Sequence, residues 1–151
     1  MYSNNLIISI LEYIDINLNS KITIEDLEHK FYYNRYYIMK LFKKELNITI
    51  ADYINKYRIY NSLTDLSTND KIIKIALKNG FYSLEYYSEV FKREIGISPR
   101  DYRNIILSYY NKKADIISNI VNITNTIEKI NKYKQNKKRD ILPVKKLSIW
   151  N

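Results

Sequence analysis

Cysteine is absent from this chain of 151 residues, histidine occurs once, and glycine and proline occur twice each. Without cysteine there is no disulfide framework, thiolate metal site or cysteine nucleophile. The single histidine, His29, is expected on the surface of a short helix rather than as a metal ligand or general base. Two glycines cannot build a phosphate-cradling loop. With Gly80, Gly96, Pro99 and Pro143 as the only punctuation, a chain of many short strands and turns is disfavoured. No apolar run approaches the ~20 residues that cross a bilayer, and the opening Met-Tyr-Ser-Asn-Asn lacks a basic leader. The expectation is a cytoplasmic protein with no membrane partner, no cofactor and no enzymatic activity.

What is abundant is basic charge and helical periodicity. The net charge is +9, which suggests a polyanionic partner without separating DNA from RNA or anionic lipid. The charge is uneven: residues 1–103 carry +2 and residues 104–151 carry +7. A nucleic-acid surface in the first part therefore depends on where a few cations are placed. Ile, Lys, Asn and Tyr make up 80 of the residues, so any single Tyr or Lys is weak evidence.

Ile7, Ile10, Leu11, Ile14 and Leu18 form one stripe of a helix over about 4–18. Thr23, with Asp26 three residues on, caps a short helix to about Lys30. Asn34 caps the next, with Ile38, Leu41 and Phe42 inward and Arg35, Tyr36, Met39, Lys40 and Lys43 outward. A connecting helix over about 49–67 would span roughly 28 Å at 1.5 Å per residue. Asp70 is expected to cap a short helix bearing Ile72, Ile75 and Ala76, ended by Gly80 in the left-handed region. Ser83 caps a helix through Glu94, and Ser98-Pro99-Arg100-Asp101 opens another.

The pattern repeats. FKKELNITIADY (42–53) and FKREIGISPRDY (91–102) align at an offset of 49 with six identities in twelve positions, an internal duplication. Upstream of the turn the offset falls to 48, which sets Glu28 against Ala76 and Tyr32 against Gly80. A carboxylate between packed helices must reach solvent or find a partner, and a Tyr at positive φ costs on the order of 1 kcal/mol. The first turn is thus expected to differ from the second.

Over residues 6 to 107 the chain resembles the AraC/XylS family of transcription regulators. The resemblance is carried chiefly by IKIALKNGFYSLEYYSEVFKREIGISPRDYR (73–103), with its Ile-Ala, Gly-Phe, Phe-Lys and Ser-Pro-x-x-Tyr-Arg elements. It implies an all-α domain, residues 1–107, with two helix-turn-helix units at about 22–46 and 70–94 joined by the connecting helix. Such a domain would read two adjacent major-groove segments of double-stranded DNA, about 34 Å apart, and would have RNA polymerase as a further partner. The cysteine-dependent family members that repair alkylated DNA are excluded.

By the same resemblance the base-facing residues are Tyr36, Met39 and Lys40 in the first unit and Leu84, Glu85, Tyr86 and Glu89 in the second. Asn34, Arg35, Lys43, Ser83 and Lys92 are the backbone contacts. Lys40 can donate to guanine, and Glu89 can accept from cytosine N4 at the expense of repulsion from phosphate. Two other readings stay open: a non-specific nucleic-acid or nucleoid-binding protein, and a protein-interaction module.

The latter would use the C-terminal part, 108–151, read as a partly helical basic tail or the start of an effector domain. Ile116, Ile120, Ile123, Ile127 and Ile130 recur in heptad spacing over two heptads, serving either a weak homodimer or a helix folded back on a monomer. KYKQNKKR (132–139) reads as a solvated linker or a phosphate-binding arm. Leu142, Val144, Leu147 and Ile149 read as the start of a strand.

Overall fold

Side-chain caps fix where most of the helices begin. In the computed structural model, which describes residues 2–108 and 114–141, Thr23 Oγ1 accepts from Asp26 N (3.1 Å) and Asp26 accepts from Thr23 N (2.8 Å), a complete capping box. Asn34, Thr49, Ser83 and Ser98 cap in the same way, each accepting from an amide of the helix it precedes. The helices are α1 (Tyr2–Asn17), α2 (Ile24–Phe31), α3 (Arg35–Leu46), α4 (Ile50–Asp65), α5 (Ile72–Lys78), α6 (Leu84–Ile95), α7 (Pro99–Ser108) and α8 (Ala114–Ile141). No strand occurs among the described residues.

One cap departs from expectation. The residue preceding α5 is Lys71, which has no side-chain cap; Asp70 lies one residue outside the cap position, and its carboxylate accepts from Lys74 Nζ at 3.2 Å. Among the described residues, positive φ occurs in two pairs related by the repeat: Tyr32 (φ 60) with Gly80 (φ 88), and Asn47 (φ 57) with Gly96 (φ 97). Tyr32 thus takes the left-handed conformation of Gly80 in spite of its side chain, so at this position the first turn keeps the backbone of the second rather than differing from it.

Each repeat has its own core. In the first, Ile7, Ile10, Leu11 and Ile14 of α1 pack with Leu27, Ile38 and Phe42. In the second, Ile75, Ala76 and Phe81 pack with Tyr87, Val90, Phe91 and Ile95. The connecting helix belongs to both, because Tyr53 and Ile54 enter the first core and Ile59 the second. At 16 residues it spans about 24 Å, and it is a buried spine rather than a free rod.

The C-terminal part changes most from its sequence reading. Residues 114–141 form one 28-residue helix lying against α1, α4 and α6. Ile116, Ile123 and Ile127 are buried in the second core and Ile130 in the first, with Ile120 half-buried. The isoleucine seam is thus consumed within the chain, since burying each side chain stabilises the fold by about 1.5–3 kcal/mol. It is not left for a coiled-coil dimer. Nor is KYKQNKKR a linker: Lys134 pairs with Asp15, Lys138 with Glu12 at 2.8 Å, and Lys137 lies 5.5 Å from the Tyr133 ring centroid. The strand expected from Leu142, Val144, Leu147 and Ile149 lies outside the described residues.

Candidate nucleic-acid interface

α3 and α6 turn one face inward and leave the opposite face open. On α3, Ile38, Leu41 and Phe42 are buried, while Tyr36 (74% exposed), Met39 (50%), Lys40 and Lys43 are exposed. Lys43 Nζ donates to the Asn47 carbonyl at 3.4 Å. Met39 overhangs an apolar groove of about 290 Å³ lined by Ile22, Ile24, Leu27, Ile50 and Ile54. On α6, Tyr87, Val90 and Phe91 are buried, and Glu85, Glu89 and Lys92 are exposed.

Two of the proposed base-facing residues sit lower. Leu84 is half-buried against the second core. Tyr86 is also half-buried: its hydroxyl accepts from Asn55 Nδ2 at 3.1 Å, and its ring stacks on Tyr82 at 4.8 Å. The stack has a counterpart in the first repeat, where Tyr33 and Tyr37 lie 5.3 Å apart at the equivalent positions. Both cap residues, Asn34 and Ser83, are occupied by the first-turn amides of Tyr36 and Tyr86.

Arg35 is committed within the protein. Its backbone N–H donates to Glu28 Oε1 (2.7 Å), and its guanidinium donates to both Glu28 oxygens (3.1 and 2.9 Å) and to Glu25 (2.9 Å). The side-chain bonds from Arg35, followed by its backbone N–H, hold the Glu28 carboxyl below its usual range. The misfit carboxylate of the first repeat thus has its partner seven residues on. That clasp competes with any phosphate for Arg35.

The charges of the two open faces differ. Lys40 and Lys43 stand exposed on α3, whereas α6 presents Glu85 and Glu89 ahead of Lys92. The faces are held in relation by α4. Asn55 bonds Tyr86, Lys56 Nζ pairs with Glu94 at 2.7 Å, and Tyr53 donates to Asp15 at 3.1 Å. Burial, together with the nearby Asp15 charge, pushes the Tyr53 hydroxyl well above its ordinary range. Arg58 was not singled out from the sequence. A signal existed, because it falls on the α4 stripe with Ile54 and Ser62, at four-residue spacing, and all three are buried.

No helix among the described residues is long and apolar enough to cross a membrane. A helix-turn-helix domain family matches residues 27–105. The transcriptional regulatory protein HptR of Staphylococcus aureus is 36% identical over 101 residues, covering 67% of this chain and 40% of that protein. A protein of unknown function from Listeria innocua is similar in structure, with 32% identity and a TM-score of 0.61 over 64% of this chain and 93% of its own. The C-terminal domain of the two-component response regulator yesN from Fusobacterium nucleatum is 29% identical, with a TM-score of 0.59 over 68% of this chain and 99% of its own. The chain spans about two fifths of the length of the curated relatives it matches. Those relatives are regulatory proteins. With more than half of its residues matched, the chain, whose elements among the described residues are all helices, belongs to the helix-turn-helix domain family.

Proposed function

We propose that the chain is a sequence-specific DNA-binding transcription regulator of the AraC/XylS type, in which each repeat is a helix-turn-helix and α3 and α6 enter adjacent major grooves. The observation that carries this reading is the repeated open face: two capped twelve-residue helices, each buried on one side and exposed on the other, joined by a spine of about 24 Å. The regulatory names of HptR and the yesN protein point the same way. Residues 1–107 form the DNA-binding domain in this reading, and α8 braces it. Tyr36, Met39 and Lys40 face bases from α3, and Glu85 and Glu89 from α6, with Leu84 and Tyr86 supporting them. Lys43 and Lys92 meet phosphates, beside the capped helix starts at Asn34 and Ser83. RNA polymerase is the partner that such a regulator would engage once on DNA.

The test is selection of duplexes from a random library, followed by affinity measurements on selected and random DNA across a salt series. Lys40→Ala is expected to cost about 1–3 kcal/mol on selected DNA and to relax base preference at one position, as loss of a base-edge contact does. A uniform loss on every sequence, with a shallower salt slope, would make Lys40 a phosphate contact. Equal affinity of the unmodified chain for selected and random duplexes would establish non-specific binding instead.

A further inference from the structure

We infer that Arg58 is the positioning residue that fixes the relative placement of α3 and α6, and with it the spacing between half-sites that the protein accepts. The inference rests on the tandem DNA-reading proposal above. Arg58 sits in the middle of α4 and is 8% exposed. From there it reaches into both repeats. Nε donates to the Leu18 carbonyl at 2.8 Å and Nη2 to the Ser20 carbonyl at 2.7 Å, both in the segment between α1 and α2 of the first repeat. Its guanidinium carbon lies 5.9 Å from the centroid of the Phe81 ring, in the turn of the second.

The repeat itself identifies Phe81 as the addition that makes this junction. Matching the left-handed residues sets Tyr32 against Gly80, and matching the caps sets Asn34 against Ser83. Tyr33 then corresponds to Tyr82, and Phe81 is left without a counterpart. It is the extra residue of the second turn, it is 2% exposed, and its ring meets Tyr86 and Tyr87 of α6 at 5.9 and 5.0 Å. The second turn thus carries one more residue than the first, and Arg58 lies over it.

Gly80 completes the contact. A Cβ there would lie 2.5 Å from the Leu18 carbonyl oxygen and 2.8 Å from Arg58 Nε, so the turn of the second repeat is seated directly on the loop of the first. The planar guanidinium serves two carbonyls and one ring face together, which a lysine ammonium on a flexible stem cannot do. Removing that plane leaves the helices of each repeat, and the α4 and α8 contacts to both cores, in place but loosens the seat of the second turn on the α1–α2 loop. On DNA, one base pair of displacement moves a half-site by about 3.4 Å and turns it by roughly a tenth of the helical repeat. A rigid junction therefore accepts one spacing.

The experiment uses the full chain and Arg58→Lys. Two half-sites from the wild-type selection are moved apart or together by one and two base pairs, and the affinity of each duplex is measured. The wild type is expected to lose tenfold or more per base pair displaced. Arg58→Lys is expected to lose less than threefold, with base preferences within each half-site unchanged. A spacing profile as sharp as the wild type's, even at lower overall affinity, overturns the inference. Phe81→Leu, which removes the ring and keeps an apolar side chain, gives the same comparison should Arg58→Lys fold poorly.

A second readout needs no DNA. Because the chain has no cysteine, cysteines introduced at Lys44 and Arg93 can carry spin labels on α3 and α6. The distance distribution is expected to be narrow in the wild type and at least twice as wide in the variants. Unchanged width refutes the inference. Failure of the wild type to enrich any sequence, with the label distances behaving as expected, overturns the DNA-reading proposal while leaving the lock itself established.

Discussion

The two repeats build the same pair of packed helices on opposite chemistry at the turn. In the second, Ala76 is buried, and Gly80 takes positive φ without a Cβ penalty. In the first, those positions hold Glu28 and Tyr32, and Arg35 stands where the second repeat has Leu84. The substitutions compensate as a group: the carboxylate that would be stranded between helices is held by Arg35, and Tyr32 tolerates left-handed backbone with its side chain 91% exposed. A small-residue turn is secured by close packing and is sensitive to added volume, whereas an ion clasp is secured by charge and is sensitive to pH. The close packing is also what allows the second turn to seat against the α1–α2 loop.

The largest effect that would break this symmetry of cores comes from α8, which serves both repeats. Ile123 (2% exposed) belongs to the second core and Ile130 (3%) to the first. Replacing either by Ala is expected to cost about 2–4 kcal/mol in urea denaturation, through lost transfer energy and the residual cavity. A cost under 0.5 kcal/mol for both would show that α8 rests on the domain without completing it. A large cost for Ile123→Ala alone would make α8 a part of the second repeat only.

The clasp yields a smaller effect with a definite sign. Arg35 holds the folded-state pKa of Glu28 below the ordinary range of a free glutamate. The stabilisation this supplies is therefore fully present above the unfolded carboxylate's pKa and is lost as pH falls through the depressed folded value. Thermal melts from pH 7 to 3 are expected to show a shallower acid-side decline for Glu28→Gln than for the wild type, with the two curves converging at the acid end. Parallel curves would mean that the clasp contributes nothing to stability.

The helices were legible because their signals are local. The isoleucine and leucine stripe of α1, the Thr23–Asp26 box, and the caps at Asn34 and Ser83 each fix a boundary within a few residues of themselves. The duplication also made the Tyr32 strain readable in advance, by alignment with Gly80. What stayed hidden depends on partners distant in sequence. The Glu28–Arg35 clasp spans seven residues, Arg58 bonds carbonyls 38 and 40 residues away, and α8 returns to α1 from the far end of the chain. The heptad seam could not reveal its own partner, because an isoleucine stripe fits a second copy or its own domain equally well. The Asp70 cap misses by one residue, because α5 starts at Ile72 and Lys71 takes the cap position.

Tyr32→Gly should produce the smallest change, and its sign tests whether the first turn carries strain that the second avoids. Tyr32 has φ 60 and ψ 33, and its amide donates to the Glu28 carbonyl at 2.9 Å, a bond that glycine retains. Left-handed backbone costs a non-glycine residue roughly 1–2 kcal/mol. Glycine in turn loses about 0.5–1 kcal/mol more conformational entropy on folding. The side chain is 91% exposed, so little burial is forfeited. The difference favours glycine by about 0.5 kcal/mol, expected as a rise in urea midpoint at unchanged m-value. A fall in stability would mean that the ring stabilises the turn by more than the backbone strain it imposes. If stability rises while affinity for selected DNA drops, Tyr32 is retained for contact with DNA, and the strained turn is explained by binding rather than by folding.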